Sequence, residues 1–290
     1  MRIADAFGPR PTVSFEFFPP KTPDAERRLY ETVERLAPLA PTFVSVTYGA
    51  GGTTRRLTID IVRRIKRDSG LEAMAHLTCV SHTAAELGAI LDELVDSGIE
   101  NVLALRGDPP QGQTAFTPMA GGFAHGAELA AFIRSRWDVC IAGAAHPETH
   151  IEAPDPATDL SHLVEKVRAG AEVLITQLFF DPADYFAFIA RARGAGISVP
   201  IVPGIMPVTN VAQLERFTTM CGARIPASLR DLLAGAGDDE LAVTAIGIEW
   251  ATDMCRTLLD GGAPGLHFYT LNRSHSTQEI VGLLRQEGRV

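Results

Sequence analysis

The sequence predicts an α/β protein folded as a single (β/α)8 TIM barrel spanning residues 1–290. Three observations lead to that fold class. Apolar strand-like runs alternate with amphipathic helix-like runs through eight rounds. No Gly/Pro/Ser-rich linker or shift in composition divides the chain, which argues against the rival doubly wound open sheet. Polar residues collect at the carboxyl ends of the strand-like runs, where this fold places its chemistry.

The first strand covers 12–18 within VSFEFFPPK (13–21). Side chains alternate along a strand, so Val13, Phe15 and Phe17 share one face while Ser14, Glu16 and Phe18 share the other. Pro19 and Pro20 stop it, since neither can donate to a ladder. Glu16 is then a lone carboxylate near the carboxyl end of an apolar strand, where desolvation favours the protonated form. Two readings stay open at this point: a proton donor, or a buried Glu paired with a core Lys or Arg.

The remaining elements follow in order. A helix is expected at 24–37, a strand at 43–48, a helix at 54–68, a strand at 71–80 and a helix at 83–97. The fourth strand is 101–107, followed by a Pro/Gly/Gln-rich loop at 108–122 and a helix at 126–136. Strand 137–145, helix 159–169, strand 171–180, helix 182–193, strand 198–205 and helix 209–220 come next. A helical run at 239–259, the eighth strand at 266–271 and a helix at 276–286 complete the pattern. GAGG (49–52) lacks the spacing of a dinucleotide fingerprint and follows the second strand, not the first. PGIMPV (203–208) reads as a tight turn shaping the mouth.

At 46% hydrophobic residues the chain can bury a large core. A net charge of -9 excludes a general nucleic-acid binder, which needs a basic face. Cys79, Cys140, Cys221 and Cys255 show no CxxC spacing and read as buried thiols of a reducing compartment. MRIADAFGPR has no apolar signal core, and no run approaches the ~20 apolar residues of a membrane span. The expected location is cytoplasmic.

The strand ends carry Glu16, Thr47, His76, Arg106 with Asp108, His146 with Glu148 and His150, Gln177, and Asn272 with Arg273. Gly107 between Arg106 and Asp108 allows close backbone approach to a ligand; the plain alternative is a turn with a surface Arg–Asp pair. HPETH (146–150) is not the helical HExxH of zinc proteases, because Pro147 disfavours a helix there, so no metal is expected. Gln177, inside LITQLFF, reads as a buried amide that needs partners on both sides.

SFEFFPPK, FVSVTYGAGG, HLTC, NVLALRGDPP, HPETH, AGAEVLITQLFFD, PGIMPVTN and HFYTLNR, in this order along the whole chain, resemble the methylenetetrahydrofolate reductase family. The resemblance implies a flavoprotein that reduces 5,10-methylenetetrahydrofolate to 5-methyltetrahydrofolate with electrons from NADH or NADPH passed through FAD. It implies that Glu16 protonates N10 and that Asp108 stabilises the resulting cation and contacts the pterin. Gln177, Gln213, Phe217 and Arg273 match folate contacts, and Thr47 a nicotinamide contact. Tyr48, His76, Arg106, Gly107, Asp108, Gly126, His146, His150, Ala153, Asp159, His162 and Lys166 match positions around FAD.

Departures from the family pattern cluster on the FAD side. His125 and Gly126 stand where members often carry Tyr-Ala, His146 where they carry Tyr, and His162 and Glu165 where they carry Asn and Arg. Glu165 exchanges a cation for an anion beside a pyrophosphate, which implies weaker FAD binding. The resemblance also implies a homo-oligomer, a dimer or tetramer. Ending at residue 290, the chain is expected to lack the regulatory domain of animal enzymes and a response to S-adenosylmethionine. Two further readings stay open: the same reaction run oxidatively, and a folate-binding protein without tightly held flavin.

Overall fold

The structure, a computed structural model, describes residues 1–48, 55–109, 112 and 116–290. GAGG (49–52) and part of the 108–122 loop lie outside the described residues. Among the described residues all strand pairs are parallel and join nine strands, in which the first strand lies between the second and the last. The strands are β1 (Thr12–Phe17), β2 (Phe43–Val46), β3 (Ala73–Thr78), β4 (Asn101–Leu105), β5 (Cys140–Ala145), β6 (Val173–Thr176), β7 (Ile201–Val202), β8 (Gly204–Ile205) and β9 (Gly265–Tyr269). Around them run α1 (Pro23–Leu36), α2 (Arg55–Ser69), α3 (Ala84–Asp96), α4 (Gly126–Arg134) and α5 (Pro156–Arg168). The ring of helices continues with α6 (Pro182–Gly194), α7 (Val211–Cys221), α8 (Ala227–Ala236), α9 (Glu240–Asp260) and α10 (His275–Gln286).

β7 and β8 are the two halves of the expected seventh strand. Pro203 interrupts it: the ring nitrogen has no N–H to give, while its carbonyl accepts from His267 N at 3.0 Å. The first half therefore pairs with β6 and the second with β9, which closes the barrel. Gly204 makes the switch sterically feasible, because a Cβ there would lie 2.3 Å from the Thr176 carbonyl oxygen.

The alternation read for the first strand holds. Val13, Phe15 and Phe17 pack outward in one apolar layer with Leu29, Val33 and Ile280 of the helices. A separate interior cluster joins Phe43, Met74, Leu103, Val173 and Val202. Ile3, from a one-turn 3-10 helix (Ile3–Ala6), belongs to that interior cluster and seals the amino-terminal end of the barrel. Asn101 at the start of β4 accepts from Ile3 N at 2.8 Å, and Arg2 pairs with Asp138 and Glu172. Nothing in the sequence periodicity announces this plug.

Most strands are shorter than expected, and three differences bear on the site or the core. β5 begins at Cys140, not at Trp137, whose indole packs edge-on against Phe132 and donates to Asp92 at 2.8 Å. β6 ends at Thr176, so Gln177–Phe180 lies past the strand. α8 fills a stretch that showed no element, its Leu229 and Leu233 one turn apart in an apolar cluster with Val243 of α9.

Candidate functional site

Because every strand is parallel, every carboxyl end opens on one rim. Glu16 reaches the barrel interior just below that rim, level with Ser45 on β2 and Tyr269 on β9. It is 5% exposed. Its Oε2 lies 3.3 Å from His267 Nε2 and 3.4 Å from His76 Nε2. The core Lys or Arg partner considered for this carboxylate is replaced by two imidazoles. Burial pushes His76 down to about 4, against the pull of the Glu16 charge, so its ring is neutral near pH 7. The backbone holds Glu16 from behind: its carbonyl accepts from Thr270 Oγ1 at 2.6 Å and from Thr270 N at 3.2 Å.

His267 and Ser14 lie inside β9 and β1, so a search of strand ends does not reach them. The signal was available: alternation along LHFY (266–269) puts His267 and Tyr269 on the inward face beside β1. His267 lies flat against Phe43, centroids 5.8 Å apart and planes at 19°, and its Nδ1 is 2.8 Å from Ser14 Oγ. Tyr269 donates its hydroxyl to the Thr176 carbonyl at 2.6 Å.

One arc of the rim sets two cations, Arg106 and Lys166, among carboxylates and histidines. Arg106, just past β4, forms a bidentate pair with Glu152, with Nη2 2.8 Å from Oε1, and does not pair with Asp108. Asp108 is exposed. Lys166 folds inward from α5 and donates to the Ala144 carbonyl at 2.5 Å. Its stem crosses Gly143, where a Cβ would lie 2.6 Å from the Lys166 Cδ. Burial pushes the Lys166 ammonium down to about 8, with Asp159 opposing. His146 falls well below its ordinary value through burial, then through the charges of Lys166, His150 and Arg106. His146 and His150 meet edge to face at 4.6 Å, and Asp159 accepts from His150 N at 3.1 Å. Ala153 N donates to the His150 carbonyl at 2.8 Å, closing the turn that leads into α5.

His125 and His162 are exposed rings stacked at 6.2 Å and 25°. Glu165, one turn past His162 on α5, is exposed while its neighbour Lys166 is folded in. Gly126 begins α4 against the end of β4, where a Cβ would lie 3.2 Å from the Ala104 carbonyl oxygen. Gly107 has φ 86°, and a Cβ there would lie 2.9 Å from the Thr78 Cβ. Thr47 N donates to Phe17 O at 2.9 Å, and the Tyr48 hydroxyl is 2.9 Å from His82 Nε2. Glu148 turns away from the other members of HPETH to pair with Arg224 at 2.9 Å. Among the described residues, no group of three or more His, Cys, Asp or Glu is arranged to hold a metal ion. None of their helices is long and apolar enough to cross a membrane.

The opposite arc is apolar. Leu178, Phe217, Tyr269 and Leu271 share one cluster, which brings Gln177, α7 and the 270–273 turn to the same sector of the mouth. Gln177 is half-buried and its Oε1 accepts from Leu178 N at 2.9 Å, so it sits at the mouth and not inside a strand. Gln213 and Phe217 stand one turn apart on α7, whose cap Asn210 accepts from Gln213 N at 2.8 Å. Arg273 is exposed. The PGIMPV segment contributes strand β8 and then buried Met206 and Val208, a wall of this cluster as much as a turn.

The family model of methylenetetrahydrofolate reductase matches residues 3–285. The chain belongs to the methylenetetrahydrofolate reductase family. It is 42% identical to 5,10-methylenetetrahydrofolate reductase of Escherichia coli K12, covering 94% of this chain and 90% of that protein. It is also 42% identical to methylenetetrahydrofolate reductase (NADH) 1 of Arabidopsis thaliana, covering 96% of this chain and 48% of that protein. The chain thus spans about half the length of its plant relatives in the family. Among solved structures, a Clostridium thermocellum protein described as binding two copies of 5-methyl-5,6,7,8-tetrahydrofolic acid superposes with TM-score 0.62 at 16% identity, over 96% of this chain and 95% of that one. A dihydropteroate synthase from Xanthomonas albilineans superposes with TM-score 0.53 at 12% identity, over 97% and 94%. At such low identities these two speak for the barrel fold alone.

Proposed function

We propose that the chain interconverts 5,10-methylenetetrahydrofolate and 5-methyltetrahydrofolate, with FAD as cofactor and a reduced nicotinamide as electron donor. The observation that carries this reading is Glu16: a carboxylate 5% exposed, set between two imidazoles just inside the rim of a family-member barrel. The NADH in the plant relatives' names favours NADH over NADPH.

The residues present fit a pyrophosphate-bearing flavin. Burial holds the His146 and His150 rings below their ordinary values, so Arg106 and Lys166 are the cations this arc offers to a dianion, with the neutral imidazoles beside them. Gly107 and Gly126 let the loop after β4 and the start of α4 pack closely on Thr78 and the Ala104 carbonyl, where a side chain would collide. Arg106, Lys166, His150, Ala153, Asp159 and the backbone at Gly107 and Gly126 would hold it, with Tyr48, His146 and His162 at its borders. FAD bound there supplies the hydride chemistry that links the nicotinamide to the folate.

The chain's own part begins with a proton. Protonated Glu16 gives its proton to N10 of the substrate, the N10–methylene bond breaks, and N5 keeps an electrophilic methylene. The exposed carboxylate of Asp108 lowers the energy of that cation. Gln177 and Gln213 contact the pterin and its linker, Phe217 offers a stacking face, and Arg273 pairs with the glutamate tail. Thr47 faces the nicotinamide. We place the reaction in the cytoplasm and in a homo-oligomer, whose size sedimentation measures.

The test separates two half-reactions. The purified chain should be yellow, and Glu16→Gln should slow folate reduction by about 100-fold or more while leaving reduction of the flavin by NADH within about threefold. Equal loss of both overturns the role of Glu16. Absence of flavin even after FAD is added favours a folate-binding protein without its own redox step.

A further inference from the structure

We infer that Ser14 and His267 form a positioning pair whose hydrogen-bond pattern lets Glu16 occupy both of its protonation states inside the barrel. The inference deepens the proposed reading, in which Glu16 is the acid. Ser14 Oγ lies 2.8 Å from His267 Nδ1 and 3.3 Å from the Leu266 carbonyl, and His267 Nε2 lies 3.3 Å from Glu16 Oε2. Ser14 and His267 are both fully buried, and Phe43 fixes the plane of the imidazole.

Proton counting defines the pattern. A neutral imidazole has one N–H and a serine hydroxyl one O–H. The Ser14 hydroxyl donates to Nδ1, so the ring N–H sits on Nε2 and donates to Glu16 Oε2. With Glu16 ionised, that oxygen accepts as part of a carboxylate. With Glu16 protonated on Oε1, it accepts as the acid's carbonyl oxygen, and the O–H is left for the substrate. When Glu16 gives its proton to the folate nitrogen, the imidazole neither gains nor loses one, and a proton from water then reloads Glu16. In both states Nδ1, Nε2 and Oε2 keep their partners.

The other titratable groups facing Glu16 are His76 from β3 at 3.4 Å and Tyr269 from β9, whose hydroxyl is committed to Thr176 O. Neither touches Ser14 through a hydrogen bond, so altering Ser14 addresses the pair alone.

The experiment uses the intact chain and the variants Ser14→Ala and Ser14→Thr. Ser14→Ala should slow single-turnover folate reduction about tenfold and displace the apparent pKa of its acid by about one unit, while reduction of the flavin by NADH stays within about twofold. Ser14→Thr restores the hydroxyl and should restore the profile. Equal slowing of both half-reactions, or an undisplaced pH profile, overturns the inference. A second readout needs no turnover: with 15N-labelled histidine, the His267 N–H should sit on Nε2 in the parent and in Ser14→Thr, and should no longer be confined to Nε2 in Ser14→Ala. An N–H on Nδ1 in the parent overturns the inference even in an active protein. A parent chain that reduces no folate overturns the proposed reaction instead, and the nitrogen spectrum then decides the pair by itself.

Discussion

The carboxamide of Asn272 pairs with both backbone groups of Phe18, accepting from its N–H at 2.9 Å and donating to its carbonyl at 2.8 Å. The side chain thus acts as one more rung between the ends of the first and last strands. It does so from φ 56°, next to Leu271 at φ 50°, two consecutive left-handed residues at the mouth of the barrel. Asparagine tolerates that region and leucine resists it, so the turn stores strain beside Glu16.

Asn272→Ala removes both hydrogen bonds and puts at φ 56° a residue that tolerates the left-handed region less well than asparagine. The expected loss is about 2–3 kcal/mol, read as a lower urea midpoint at unchanged slope. Asn272→Gly keeps the backbone freedom and should lose less, by about 1 kcal/mol. If the two variants are equally destabilised, the left-handed backbone is not the source of the difference.

Two glycines in helices should respond in opposite directions. Gly247 of α9 lies against the Val208 backbone, where a Cβ would fall 1.8 Å from the carbonyl oxygen. Gly247→Ala must push α9 off the 206–208 wall and should cost about 3 kcal/mol or more. Gly282 of α10 has nothing within 4 Å of its would-be Cβ. Gly282→Ala should stabilise by about 0.5–1 kcal/mol, since alanine loses less entropy in a helix. Thermal melts of the two variants against the parent check the pair.

The periodicities that made the barrel legible are those that burial enforces. Val13, Phe15 and Phe17 had to face helices, which left Ser14 and Glu16 to face inward, and the structure follows. The same rule applied to His267 and Tyr269 would have completed the interior set. A search of strand ends does not reach His267, which falls mid-strand. The amino-terminal plug was invisible for a different reason: one 3-10 turn has no period, and Ile3 is fixed by contacts with residues tens to hundreds of positions away. Pro203 was visible but not its effect, since whether a proline breaks a strand depends on which neighbour needs its N–H. The likeness of the chain to its family reached the rim residues that no periodicity singles out, such as Gln213 and Phe217.

Acid should destabilise the protein through its buried histidines. The His76 ring is held at about 4 in the fold and near 6.5 when unfolded, so the unfolded chain binds the extra proton between those values. The stability owed to neutral His76 is complete above about pH 6.5 and is lost as pH falls toward about 4, by up to about 3 kcal/mol. His146, held well below its ordinary value, adds to the slope with the same sign. Urea titrations from about pH 4.5 to about pH 7.5 should show the slope, and His76→Asn should flatten it by about 1 kcal/mol per pH unit.

Lys166 should trade stability against cofactor affinity. Its ammonium is held at about 8 in the fold against about 10.4 in the unfolded chain, because burial in the groove over Gly143 penalises the charge. Below about pH 8 both states are protonated and the fold carries the full penalty. The penalty fades as pH rises from about 8 to about 10.4, where the neutral amine becomes common to both states. Lys166→Met keeps the stem and removes the charge. It should be more stable than the parent by about 1–3 kcal/mol near pH 7, with the gap closing toward about pH 10. The same variant removes one of the cations that converge on His146, so FAD should bind it about tenfold more weakly in a fluorescence titration. Glu165→Arg, on the exposed side of the same helix, should tighten FAD about threefold at low salt and lose that gain at high salt. A Lys166→Met protein that gains stability but keeps its FAD affinity would place the pyrophosphate elsewhere on the rim.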